Sequence, residues 1–295
     1  MIRAEIISGN TGCLFLTGNC IPFYCLSEKS WVLLDSGSRF VRKDLSDYLI
    51  QKNIQIRAVL CSHAHYDHTE NLAYLQKNFG SELVLSAYDA GSLYDATALK
   101  SCFYSYTGRE NEIYNGEMFC RADRVLVPGQ SQVELDGTIF EILQLPGHAA
   151  SHLGFVTPDG VAYLADSMFS ADQLGDEKIY YMLRWSETLK TLEKVKKSQF
   201  RHYILAHYGV CDKIEDLAEK NLHQFRRSLD RFRNLCRKES TLEELVQELA
   251  CVYHISINHY EKACIMERIA RAMAEYLVEE EILSRRLRDG IPVYV

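Results

Sequence analysis

Between an apolar stretch at 54–61 and a helical pattern that starts at Glu70, the chain carries Ser62-His63-Ala64-His65-Tyr66-Asp67-His68, with three imidazoles and a carboxylate in six residues. Any fold it adopts must bring this segment to the end of a strand and hold several ionisable groups side by side. In extended backbone, side chains two residues apart point the same way, so His63 and His65 can converge on one ion. Asp67 and His68 lie where the chain turns into the helix and can face a neighbouring position. A borderline-soft divalent cation favours this mixture of imidazole and carboxylate; zinc fits it best, and iron and manganese suit the same donors.

The placement recurs. A strand pattern at 138–145 ends in Pro146-Gly147-His148, where the turn presents an imidazole just beyond the strand. A strand at 161–164 runs into Ala165-Asp166, and one at 202–206 into His207. Five of the ten histidines thus fall at strand ends, as expected for a site along one sheet rim.

The rest of the chain supplies a scaffold for such a rim. Short strands at 2–8, 13–17, 21–26 and 31–35, punctuated by Gly, Asn and Ser, read as antiparallel sheet. A helical period over 40–50, a buried strand at 54–61, a helix over 70–78 stopped by Gly80 and a strand at 82–87 point to helices packed on sheet faces. Residues 88–124, rich in tyrosine, serine and charge, read as short helices and loops forming a lid or pocket wall. Strands return at 125–127, 132–135, 138–145, 153–157 and 161–164, with turns at Asp136-Gly137 and Pro158-Asp159-Gly160. An amphipathic helix over 185–197 and a final strand at 202–206 follow. Beyond 214 the pattern is helical: Ser240-Thr241-Leu242-Glu243 reads as a capping box, 258–276 as another helix, and Asp289-Gly290 as the turn of a small hairpin. We therefore expect an α+β domain at 1–213, with 88–124 as an excursion, and a helical, winged-helix-like tail at 214–295.

Composition narrows the functional classes. With 33 Lys/Arg against 40 Asp/Glu, the net charge of −7 repels nucleic acid and anionic membrane. No apolar run approaches a membrane span, and Glu5 puts a carboxylate where a secretory leader needs an apolar stretch. The ten cysteines are scattered without C-x-x-C spacing, so reduced thiols in a cytoplasmic protein are expected, with Cys61 and Cys211 as buried filler.

Taken together, these residues resemble the metallo-β-lactamase superfamily over roughly residues 1 to 210. The H-x-H-x-D-H motif is complete as His63, His65, Asp67 and His68. The P-G-H-T-x-G-H segment appears as Pro146-Gly147-His148-Ala149-Ala150-Ser151-His152, departing only at small residues. Asp166 matches the family's bridging aspartate and His207 its last histidine. Val32-Leu33-Leu34-Asp35-Ser36-Gly37 is similar to the early L-I-D-T-G element, whose aspartate supports the metal loop. The resemblance implies an αββα sandwich and two divalent metal ions. One ion would take His63, His65 and His148, the other Asp67, His68 and His207, with Asp166 bridging. It also implies a dinuclear hydrolase in which a shared water becomes the nucleophile. Asp67 and Asp166 are the residues nearest that chemistry, with Asp35 orienting the histidine loop.

The scaffold hosts many reactions, so the substrate must come from the site. Asp166-Ser167-Met168-Phe169 is similar to the G-D-T-L-F segment of glyoxalase II-type thioesterases, favouring a thioester or ester of a small molecule. Lactonases commonly place tyrosine in the slot of Phe169, and oxygen-reducing flavodiiron relatives a glutamate where His65 stands. Beside a lactonase, the tail raises a phosphodiesterase or endoribonuclease as an alternative on the same metal site, with Arg226, Arg227, Arg231 and Arg233 as phosphate contacts. Yet 13 Lys/Arg against 15 Asp/Glu over 215–295 read equally as a solvated helix face. The tail is then expected to close one side of the pocket or to mediate a homodimer. Tyr66, Phe169 and Tyr208 flank the proposed ligands and are read as pocket wall or as core, with Tyr104, Tyr106, Tyr114, Tyr180 and Tyr181 as further aromatic surface or as packing of the excursion. His152 is assigned a packing or hydrogen-bonding role.

Overall fold

The structure, a computed structural model, describes residues 2–102, 106–207, 209–236 and 238–295. Tyr104 and Tyr208 lie outside the described residues. Backbone proximity divides the chain into two units: Met1–Leu145 with Ala150–Ser170 and Ser198–Ile214, and Pro146–Ala149 with Ala171–Lys197 and Glu215–Val295.

In the first unit, β1 (Arg3–Ser8), β2 (Thr11–Leu16), β3 (Asn19–Ser27) and β4 (Ser30–Leu34) form an antiparallel meander. The same sheet continues with β5 (Gln55–Leu60), β6 (Glu82–Ser86) and β7 (Arg124–Leu126), all parallel. Parallel neighbours need crossovers, which are α1 (Arg42–Gln51), then α2 (Tyr66–Thr69) and α3 (Leu72–Phe79), then α4 (Ala87–Ser92), α5 (Ala96–Cys102) and α6 (Gly108–Asn115). The second sheet holds β8 (Gln132–Leu135), β9 (Thr138–Gln144), β10 (Leu153–Val156), β11 (Val161–Ala165), β12 (His202–Leu205) and β13 (Gly209–Cys211), in the order β13-β12-β11-β10-β9-β8.

Alternation along the strands sorts the core into two layers. Val32 and Leu34 of β4 pack toward Phe140, Phe155, Tyr163 and Ile204 of the facing sheet. Trp31 and Leu33 face the helices, against Leu45 and Leu49 of α1 and Leu72 and Leu75 of α3. One register shift intervenes: Trp31 pairs with Ile56 but Val32 with Ala58, leaving Arg57 as the extra residue of a bulge. Arg57 is ion-paired with Asp136 in the β8–β9 turn.

Three expectations need correction. The helix expected over 70–78 begins two residues later, α3 starting at Leu72 after the separate turn of α2 ends at Thr69. Asn71 between them donates its amide to the carbonyls of Ser36, Gly37 and Ser38, and its Oδ1 accepts from Arg42 Nε. Such side-chain-to-backbone bonds compete with a continuous helix. The strand at 202–206 is not the last, because the chain reverses after His207 into β13, too short at three residues to show a period. Cys211, on that edge strand, is only half-buried, whereas Cys61 is buried.

The second unit contains α7 (Trp185–Lys196), α8 (Glu215–Leu235), α9 (Leu242–Val252), α10 (Tyr260–Glu279) and the hairpin β14 (Arg285–Arg288) with β15 (Ile291–Tyr294). Tyr180 and Trp185 both pack on Phe225, with ring centroids 5.1 and 5.4 Å away. The capping box sits one residue later than expected: Thr241 Oγ1 accepts from Glu244 N–H, and Glu244 Oε2 accepts from Thr241 N–H. Ser240 is instead engaged in a reciprocal backbone pair with Tyr294, which fastens α9 to the hairpin. Among the described residues no helix is long and apolar enough to cross a membrane, and none of the cysteines forms a disulfide.

Candidate metal centre

Beyond the C-terminal end of β5 the chain bends at Ala64, is extended again at His65 (φ −87°, ψ 152°) and then enters the single turn of α2. His63 and His65 project together, with His63 Nε2 2.9 Å from His65 Nδ1. The turn brings Asp67 and His68 round to a different position. Asp166 follows β11, where Ala165 adopts a left-handed φ of 47°, unusual for a residue with a Cβ. His207 follows β12; the Ala206 N–H donates to the Ala165 carbonyl and its carbonyl accepts from Cys20 N–H. His148 follows β9 on the turn Pro146–Ala149. Within the second unit that turn is carried by α7 and the residues leading into it: the Gly147 carbonyl accepts from Leu183 and Arg184, and that of Pro146 from Thr191 Oγ1. Tyr181 stands edge-on to His148, ring centroids 5.7 Å apart.

Three of the five candidate histidines, His63, His68 and His207, are aimed by a hydrogen bond on the far side of the ring, as second nitrogens of metal-bound histidines commonly are. Asp35, buried and itself at φ 70°, is the hub. It accepts from Ser62 N–H at 2.6 Å, Ser62 Oγ at 2.7 Å, His68 Nδ1 at 2.7 Å and Tyr163 Oη at 2.6 Å. Ser62 Oγ also lies 2.9 Å from His63 Nδ1. His207 Nδ1 donates to the Gly18 carbonyl at 2.9 Å, and Asn19 holds the Asp67 carbonyl at 3.0 Å. His152 is a partner rather than a ligand: its Nε2 accepts the Asp166 N–H at 3.1 Å.

The atoms left facing inward form two groups that could each hold an ion: His63, His65, His148 and Asp166, and Asp67, His68, Asp166 and His207. Within each group the donor atoms all lie within 4.8 Å of one another. His68 Nε2 is buried without a hydrogen-bond partner, 3.4 Å from Asp166 Oδ2 and 3.8 Å from Asp67 Oδ2. His207 Nε2 lies 3.2 Å from Asp67 Oδ2 and 3.4 Å from Asp166 Oδ2. A tetrahedral shell with bonds of roughly 2.0–2.2 Å spaces its donors about 3.3–3.6 Å apart. The residues fit a small divalent cation.

The electrostatics agree. Burial, then the imidazoles of His68, His65 and His152, hold His63 well below its ordinary pKa, leaving a neutral lone pair. Burial pulls His68 down too, but the carboxylates of Asp166, Asp67 and Asp35 outweigh it and raise it well above. Against burial, hydrogen bonds to Asp166 and Asp67 lift His207 to about 11. Against burial again, His68 and His207 draw Asp67 down to about 2. Two carboxylates this close demand positive charge, and a bound divalent cation would replace protons on the two imidazoles.

Of the pocket residues expected from sequence, Tyr66 is 54% exposed on the first turn of α2, Phe169 is half-buried three residues past Asp166, and Tyr208 is outside the described residues. Sequence reading missed Ser62, Tyr163, Gly18 and Asn19. Only Ser62, beside the first histidine, carried a local signal. Three of the four arginines weighed as phosphate contacts are engaged within the second unit: Arg226 with Glu193, and Arg227 and Arg231 with Asp176.

Comparison with known proteins follows the same lines. A family model of the Metallo-beta-lactamase superfamily matches residues 15–207. Hydroxyacylglutathione hydrolase GloC of Haemophilus influenzae is 27% identical over 143 residues, 48% of this chain and 63% of its own. A hydroxyacylglutathione hydrolase of Vibrio campbellii is 25% identical over 214 residues, 71% of each chain. The chain spans 63%, 56% and 46% of the length of the first three curated relatives it matches. Among solved structures, a beta-lactamase domain protein from Burkholderia ambifaria has a TM-score of 0.72 at 15% identity, covering 99% of this chain and 94% of that one. A metallo-beta-lactamase family protein from Thermus thermophilus has a TM-score of 0.71 at 16% identity, covering 99% and 97%. At these identities the likeness shows the fold, which is the one expected.

Proposed function

This chain belongs to the metallo-β-lactamase superfamily, and on that premise we propose that it hydrolyses a thioester, or a related ester, of a small molecule at a centre holding two divalent cations, zinc foremost. The observation that carries this reading is that two donor groups share one carboxylate, Asp166. When bound, such a pair of cations supplies Lewis acidity that lowers the pKa of water toward neutrality and draws charge from an acyl carbonyl.

The chain's own residues supply position and charge. His63, His65 and His148 would hold one cation, Asp67, His68 and His207 the other, and Asp166 would face both. Asp35 keeps His68 Nδ1 protonated, so that Nε2 presents its lone pair to the centre. The Asp67 carboxylate can accept a hydrogen bond from a water and so orient it, but as a ligand it is a weak base. Phe169 offers a ring without the phenol that lactonases place there, which supports an acyl thioester over a lactone. So does the name hydroxyacylglutathione hydrolase carried by the curated relatives.

The test is a substrate panel run beside elemental analysis of the purified protein. Acyl thioester turnover exceeding that of lactones and phosphodiesters by about tenfold or more, ~1.4 kcal/mol in barrier, with near two metal equivalents bound, supports the reading. Preference for a phosphodiester with the same metal content would reassign the substrate, and a protein that takes up no metal would end the proposal.

A further inference from the structure

Asp89, in the first turn of α4, is a buried carboxylate that the chemistry above leaves without a task. Part of its surroundings is a helix cap: Ser86 at the N-cap accepts the Asp89 N–H at 3.0 Å and donates its hydroxyl to Oδ2 at 2.7 Å. A cap needs no more than that. Yet Ser151 Oγ also donates to Oδ2, at 2.8 Å, and lies 2.5 Å from Ser86 Oγ. The backbone N–H of Ala64 also faces this carboxylate and favours its charged form. Burying a carboxylate is costly unless polar contacts repay the desolvation, and here they come from three chain segments: hydrogen bonds from Ser86 and Ser151 and the facing N–H of Ala64.

Two of those segments carry the metal centre. Ala64 stands between His63 and His65, so its N–H sets the backbone from which both imidazoles project. Ser151 directly precedes His152, whose Nε2 accepts the Asp166 N–H. We propose that Asp89 is a positioning residue for the metal centre. It fixes the His63–His65 backbone through Ala64, and the His152 contact to Asp166 through Ser151. The inference rests on the reading that this centre holds metal. Asp89 touches neither cation nor substrate; it acts through backbone and hydroxyl groups.

The test loads the full chain with cobalt(II), whose visible spectrum reports ligand geometry, and measures affinity by competition with a chelator. Asp89→Asn, which nearly keeps the volume but loses one carboxylate oxygen, is expected to bind cobalt about 10–100-fold more weakly with shifted visible bands. Ser151→Ala should move both readouts the same way by less. Thr241→Ala, which weakens a cap in the other unit, should lower the melting temperature and leave both readouts unchanged. If Asp89→Asn does not fold, Ser151→Ala decides alone. Wild-type affinity and spectrum in both variants would overturn the positioning role while the metal reading stands. A wild-type chain that takes up no cobalt would overturn the metal reading and this inference with it.

Discussion

The carboxylate of Asp35 accepts a hydrogen bond from Nδ1 of His68 at 2.7 Å, both side chains buried. That contact fixes which nitrogen of His68 carries the proton and which faces the two aspartates of the centre. The consequence is measurable. Asp35→Asn tolerates the left-handed backbone at this position but offers one acceptor oxygen to the four donors that now converge on two. We expect metal affinity and turnover to fall about 10–100-fold, read by equilibrium dialysis and by kcat at saturating metal. An Asp35→Asn enzyme with wild-type metal affinity would show that the contact only packs the loop.

Asp166 is shared by both donor groups, whereas His207 belongs to one. Asp166→Ala should therefore deplete both positions, and His207→Ala mainly one. Elemental analysis after dialysis against a weak chelator distinguishes them, and equal metal loss from the two variants would contradict the shared role. Stripping the wild type with a strong chelator should abolish turnover, and returning zinc, iron or manganese in separate trials should restore it and rank the metals.

Burial lifts Asp89 to about 7 from an ordinary value of 3.8, against the hydrogen bonds from Ser86 and Ser151 and the facing N–H of Ala64. The folded state therefore binds this proton more tightly than the unfolded chain. The stability it contributes is full below about pH 4 and is lost as pH rises through 7. In metal-free protein, the melting temperature of the wild type relative to Asp89→Asn should fall between pH 4 and 7. A difference constant across that window would mean the carboxyl does not titrate there.

Thr241 and Glu244 satisfy each other's backbone N–H groups at the start of α9. Thr241→Ala should cost about 1 kcal/mol of stability, seen as a lower denaturation midpoint with metal content unchanged. The same change at Ser240, the residue that sequence pattern favours for the cap, should cost less, because its partnership with Tyr294 is through backbone atoms. Comparable losses from both would place the cap wrongly.

The candidate ligand positions were legible because strand ends and short motifs are local. An apolar run followed by Ser62-His63-Ala64-His65, or one ending in Asp166 or His207, declares both the strand and the polar group beyond it. The α+β architecture followed from the same alternation. Where sequence pattern failed, a distant partner had overruled a local preference: Asn71 was drawn out of its helix by the carbonyls of Ser36, Gly37 and Ser38, and Ser240 away from its cap by Tyr294.

Chain pattern alone thus determined which side chains could bind a cation and at which strand ends they stand. Only the tertiary structure decided how they are aimed. Tyr163 reaches Asp35 across 128 residues, Gly18 reaches His207 across 189, and Ser151 reaches Asp89 across 62. Hydrogen bonds between such remote groups exist only once the two sheets have packed, so no periodicity or spacing in the chain can encode their geometry visibly.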